Sequence, residues 1–84
     1  MRLEDIGEPV IVGAVFGSPS RIRPAWFIWN GRRHNVKETN FTWVERKGRT
    51  SFHHFAVSDG ADIYELTLNS ETLIWRLEHV ETPG

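Results

Sequence analysis

The chain has 84 residues, a net charge of −1 and no cysteine, which excludes disulfides and thiolate metal sites and leaves one small domain held by apolar burial. Four Trp, five Phe and one Tyr supply that burial, each large ring covering about 150–250 Å². No apolar run approaches the roughly 20 residues that span a bilayer, and the opening Met1-Arg2-Leu3-Glu4-Asp5 lacks the pattern of a signal peptide, so a cytoplasmic protein is expected.

The small net charge hides a sharp split. Residues 20–50 hold eight basic side chains (Arg21, Arg23, Arg32, Arg33, Lys37, Arg46, Lys47 and Arg49) against Glu38 and Glu45. Residues 51–84 hold Arg76 against Asp59, Asp62, Glu65, Glu71, Glu78 and Glu81, and residues 1–19 are also acidic on balance. A division of this kind between segments points to an interaction surface.

In chain order, residues 1–8 read as a polar lead-in that frays. Val10 to Phe16 is apolar on both parities, as in a short strand covered on two sides. Gly17-Ser18-Pro19-Ser20 is a turn cluster, and Arg21-Ile22-Arg23-Pro24 continues it as a basic loop whose proline, lacking an N–H, opens the next strand. Asn30-Gly31 then predicts a two-residue type I′ hairpin, since both central residues need positive φ. That turn pairs Trp29 with Arg32, Phe27 with His34 and Ala25 with Val36. It puts Ala25, Phe27, Trp29, His34 and Val36 on one face and Trp26, Ile28, Arg33 and Asn35 on the other. Arg32 is expected to lean on Trp29 as a cation–π pair.

After Val36 the apolar parity changes, at Phe41 and Trp43, which predicts a bulge near Thr39-Asn40. A three-residue loop at Lys47-Gly48-Arg49 would pair Phe41 with Phe55 and Trp43 with His53; a two-residue loop would set Trp43 opposite Phe52. The three-residue loop is favoured because it joins the larger apolar sets. Ser58-Asp59-Gly60-Ala61 marks another hairpin, followed by Tyr64, Leu66 and Leu68 facing inward. A four-residue turn at Asn69-Ser70-Glu71-Thr72 would pair Leu68 with Leu73, Leu66 with Trp75 and Tyr64 with Leu77. Residues 82–84 are expected to fray. The whole of 1–84 therefore reads as a single all-β domain, a small antiparallel meander closing into an SH3-like or OB-like barrel of five or six strands.

The run Phe27-x-Trp29-x-Gly31-Arg32-x-His34-x-Val36-x-Glu38, with Asp59-Gly60, Ile63-Tyr64-Glu65-Leu66 and Trp75-x-Leu77 after it, resembles a family of small bacterial all-β domains of unknown function. His34 stands where that pattern has Tyr. The resemblance spans residues 24–80 and implies a fold, with no activity to carry over.

No catalytic motif, phosphate-cradling loop or dinucleotide fingerprint is present, and no cofactor is expected. His53 and His54 are adjacent in a strand and so point to opposite faces; a metal site would need His34 or His79 and a carboxylate such as Glu65, and none is expected. The expectation is a non-enzymatic binding or accessory domain. Its leading partner is single-stranded or structured nucleic acid, with Arg21, Arg23, Arg32, Arg33, Arg46, Lys47 and Arg49 on phosphates and Trp26 or Trp43 stacking on a base. The alternative is a protein-interaction or self-associating module, in which Trp26, Ile28 and Phe52 form a buried centre. Against both stands the plain reading that the tryptophans are core and the arginines pair with the acidic half.

Overall fold

Short β-branched and aromatic runs between turn signals produce strands throughout. The computed structural model describes residues 2–17 and 21–83 and contains β1 (Arg2–Phe16), β2 (Ile22–Trp29), β3 (Arg32–Asn35), β4 (Glu38–Lys47), β5 (Thr50–Ser58), β6 (Ile63–Asn69) and β7 (Trp75–Thr82). All are antiparallel to their neighbours in one seven-stranded sheet of order β3-β2-β1-β7-β6-β5-β4. Among the described residues no helix is long and apolar enough to cross a membrane. The turn expected at Ser18-Pro19-Ser20, and Met1 and Gly84, lie outside the described residues.

Seven strands replace the five or six expected, because the run from Arg32 to Lys47 is divided at Val36-Lys37. The segment read as a polar lead-in is also strand: β1 pairs with β7 from Arg2↔Thr82 to Val10↔Trp75, then with β2 from Ile11↔Ile28 to Phe16↔Ile22. One long strand thus serves two neighbours in succession.

The Asn30-Gly31 turn has φ of 52° and 70°, the double positive of type I′, and the register across it is Trp29↔Arg32 and Phe27↔His34 as the turn dictates. Pro24 lies inside β2 rather than opening it. A bulge leaves Ala25 between the pairs Gly13↔Trp26 and Ala14↔Pro24, a place where the missing N–H is tolerated. The bulge also moves the inward set from Phe27 to Pro24 and Ile22, which is why both parities of this strand are apolar.

The register break predicted at Thr39-Asn40 falls between Thr39↔Val57 and Phe41↔Ala56. The β4–β5 loop is Gly48-Arg49, with Lys47↔Thr50, Trp43↔His54 and Thr42↔Phe55, so both anticipated registers are corrected. Gly48, at φ 62°, takes the first position of a two-residue turn, where only glycine sits without strain. The last hairpin does have a four-residue loop, but one residue later than expected: Asn69 N–H donates to Ile74 O, and Leu68 opposes Trp75. Leu73 is therefore in the loop, 69% exposed, and not inward.

The core comprises Phe27, Phe55, Val57, Tyr64, Leu66, Leu68, Trp75, Leu77 and Val80. Phe27 from the β2 side meeting Tyr64 from β6, at 4.9 Å between ring centroids, shows how far the sheet curls. Its two ends approach at one corner, where Val36 N–H donates to Ala25 O of β2 and Lys37 N–H donates to Ser58 O of β5. Beyond that corner, among the described residues, no backbone ladder joins β2 or β3 to β4.

Candidate functional site

β2 and β4 run in opposite directions away from the Val36-Lys37 corner. The start of β2 consequently faces the β4–β5 hairpin, and a cleft of about 570 Å³ lies between them, within the roughly 300–1,000 Å³ typical of binding pockets. Arg21, Ile22 and Arg23 form one wall; Thr42, Trp43 and Val44 of β4, with His53, His54 and Phe55 of β5, form the other. No acidic side chain lines it among the described residues. Β4 is the outer edge of the sheet, and its uncharged middle is open to solvent: Phe41 is 70% exposed, Trp43 42% and Val44 56%.

The nine surface residues singled out from sequence divide into two groups. Arg21, Arg23 and Trp43 border the cleft. Arg46, Lys47 and Arg49 cluster where the β4 wall runs into the hairpin tip; there Arg46 Nε donates to Ser51 Oγ at 3.4 Å and the Lys47 ammonium lies 5.5 Å from the Phe52 ring. Nearby, the carboxylate of Glu71 accepts from Thr50 Oγ1 at 2.5 Å.

Trp26, Arg32 and Arg33 belong to the β2–β3 hairpin instead. At about 3.3 Å per strand residue, its tip is about 20 Å from Arg23, while Arg33 reaches back over Trp26, about 10 Å from Arg23 along β2. The stacking partners also differ from expectation. Arg33, not Arg32, makes the cation–π contact, 4.7 Å from the Trp26 ring, and its Nε donates to Asn35 Oδ1 at 3.1 Å. Trp26 lies flat over Gly13, where a Cβ would stand 2.1 Å from the indole. That indole is spent on folding.

None of the eight basic side chains of residues 20–50 enters a salt bridge among the described residues, so the expected neutralisation by the acidic half does not occur. The acidic side chains face histidines instead. His54 Nδ1 is 3.3 Å from Glu65 and its Nε2 3.3 Å from Glu45; His79 Nδ1 is 2.9 Å from Asp5 and its Nε2 3.5 Å from Glu65. These five groups form a row across β4, β5, β6, β7 and β1. His53 and His54 do face opposite sides, opposing Leu68 and Thr67. The β5–β6 loop has four residues, Asp59 to Asp62, so the contact between His54 and Glu65 is diagonal across the ladder. The row itself went unread, because the shifts at Glu65/Leu66 and Asp5/Glu8 that align His79 with Glu65 and Asp5 leave no sequence signal. The two nitrogens of each ring point to different carboxylates and do not converge on one ion. Among the described residues no group of three such side chains is placed to hold a metal.

A second polar cluster closes the opposite end of the sheet. Tyr64 OH donates to Asp59 Oδ2 at 2.9 Å, while Asp59 Oδ1 accepts from the N–H groups of Ala61 and Asp62. Burial works to raise the Asp59 carboxyl, but those N–H groups, the Tyr64 hydroxyl and His34 outweigh it and hold it below the ordinary carboxylate value. Burial first, then Asp59 and Asp62, push the Tyr64 phenol well above its ordinary value. A phenol kept protonated in this way clasps the 59–62 loop to the core.

Comparison with protein-family models, with curated proteins and with solved structures found no match. The functional reading therefore rests on the geometry of the cleft.

Proposed function

We propose that this chain is a non-enzymatic binding domain that takes single-stranded nucleic acid into the cleft between β2 and the β4–β5 hairpin. On this reading the sheet works as an incomplete OB-like or SH3-like barrel in the cytoplasm, and the gap between its edges is the binding groove. The observation that carries the proposal is the composition of that groove: Arg21, Arg23, His53 and Trp43 around a cleft without a carboxylate. Phosphates are drawn to Arg21 and Arg23 and onward to Arg46, Lys47 and Arg49, and a base stacks on Trp43, an interaction worth about 1–3 kcal/mol. Arg32, Arg33 and Trp26 take no part.

Titration of a short single-stranded oligonucleotide at two salt concentrations tests this. Affinity should fall with salt, and Arg23→Ala should lower the slope of log affinity against log salt by about one, the effect of one phosphate contact. Arg32→Ala should leave it unchanged. Absence of binding at low salt would eliminate the proposal. A second reading, self-association or protein binding through the free β4 edge, is favoured by the exposed Phe41-Thr42-Trp43-Val44 run.

A further inference from the structure

Leu73 has a φ of 62°, in the left-handed region where a Cβ crowds the backbone and glycine or asparagine is the usual occupant. The β6–β7 turn fixes it there. Asn69 Oδ1 accepts from the N–H groups of Glu71 and Thr72, and Leu73 N–H donates to Asn69 O at 2.8 Å. Burial does not offset that strain, since Leu73 is 69% exposed and Ile74 after it is 51% exposed. Two branched aliphatic side chains thus project into solvent from a turn that the fold would hold more easily without a leucine.

The β4–β5 hairpin tip lies beside this turn at the same end of the sheet. Phe52 opposes Asn69, Ser70 N–H donates to Ser51 O, and Ser51 N–H donates to Ser70 Oγ. The tip carries Arg46, Lys47 and Arg49, all exposed and none in a salt bridge among the described residues. Of the acidic groups on these two hairpins' ends, Glu71 accepts from Thr50 and Glu45 faces His54. This end of the molecule presents an aliphatic pair next to three cations.

We propose that this end docks on an anionic lipid bilayer, with Leu73 and Ile74 entering the interfacial region while Arg46, Lys47 and Arg49 meet headgroup phosphates. The inference goes beyond nucleic-acid capture and does not depend on it. Size selects the occupant. Two side chains on a turn fall far short of the roughly 800 Å² per partner that a stable protein interface buries. A bilayer asks for less, because a small apolar insertion adds to the attraction of each nearby cation for anionic headgroups. Charge agrees with this, since the three cations surround the aliphatic pair on one side and have no carboxylate of their own. The strain at Leu73 then has a use: it points an apolar side chain outward, where only a partner can cover it.

The experiment is co-sedimentation with vesicles of two parts phosphatidylcholine to one part phosphatidylserine, set against vesicles of phosphatidylcholine alone. The unmutated protein should partition onto the anionic vesicles, less so as salt rises, and weakly onto the neutral ones. Leu73→Asn should lower that partitioning about tenfold, at the low end of what burying one leucine contributes. Arg49→Ala should lower it about fivefold, the effect of one cation at an anionic surface. Asparagine tolerates a positive φ, so Leu73→Asn should keep or raise the urea midpoint and keep the oligonucleotide affinity. No partitioning at low salt, equal partitioning onto both vesicles, or full partitioning by Leu73→Asn would each overturn the proposal. A lowered urea midpoint in Leu73→Asn would also overturn it, by showing that the leucine serves the fold. So would a concentration-dependent dimer abolished by Leu73→Asn, because the occupant would then be a second copy of the chain. Oligonucleotide binding is read separately, so its absence would overturn the functional reading above and leave the lipid result standing.

Discussion

Trp26 illustrates how a residue that reads as a binding group from sequence can be consumed by its neighbours. Its indole is held between the backbone at Gly13 and the Arg33 guanidinium. Gly13→Ala would put a methyl group inside the ring, forcing Trp26 off its seat; overpacking of this kind costs about 1–3 kcal/mol. A lowered urea midpoint is the expected result, and Trp26→Ala in the same chain should remove most of the added loss. An unchanged midpoint would mean that Trp26 is not seated as described. Asp59 and Tyr64 give a second residue-scale expectation, in the pH dependence of stability. The Asp59 carboxyl is held low when folded, so the unfolded chain binds more protons in acid; its contribution is present above the unfolded value near 3.8 and is lost as pH falls through the folded one. Tyr64 is held high, so its contribution is present below pH 10 and is lost as pH rises through its folded value. Tyr64→Phe should flatten the alkaline loss and lessen the acid one, as read from urea midpoints across pH. Asp59→Ala should cost about 1–3 kcal/mol by leaving the buried hydroxyl without its acceptor.

At the scale of elements, legibility followed how local each determinant was. The β2–β3 register could be read because Asn30-Gly31 fixes it within two residues. The β4–β5 register could not, since Gly48 is compatible with more than one turn and the choice depends on what Thr42, Trp43 and Phe55 meet across the molecule. The bulge at Asn40 announced itself by a parity change within one strand. The bulge at Ala25 was hidden because Pro24 already looked like a strand opening. The cleft was half legible: its arginines and Trp43 stood out by charge and size, while bringing Ile22 and Val44 to one cleft needed the curl of the sheet. Β4 also carries a risk of its own. Ten residues of edge strand with an exposed, uncharged centre invite pairing with another chain. Phe41→Lys puts a charge on that edge without touching the cleft lining. If the β4 edge drives self-association, sedimentation should show a concentration-dependent species in the unmutated protein that disappears in this variant, with oligonucleotide affinity preserved. A monomer at every concentration would remove the second reading.

For the whole molecule, the decisive feature is that the two ends of the chain are neighbours in the sheet. Β1 pairs Arg2 with Thr82 and Val10 with Trp75, so one ladder joins residues separated by most of the sequence. Sequence patterning could not show this, because Arg2-Leu3-Glu4-Asp5-Ile6-Gly7-Glu8 is mostly polar and its strand character is imposed by the free edge of β7. Ile6 packs against the core, and Asp5 holds His79 at 2.9 Å. A lead-in that merely frayed could be removed at no cost. The ladder argues otherwise: each backbone hydrogen bond lost is worth about 1 kcal/mol, and the deletion would uncover β7, the strand that carries Leu77 and Val80. Since about 1 kcal/mol shifts Tm by about 4–8 °C in a domain of this size, deleting residues 2–8 should lower Tm by more than about 10 °C. The same deletion should expose a further strand edge, that of β7, and promote aggregation on heating. A truncated chain that melts with the full-length protein would show that the β1–β7 ladder from Arg2 to Glu8 contributes nothing.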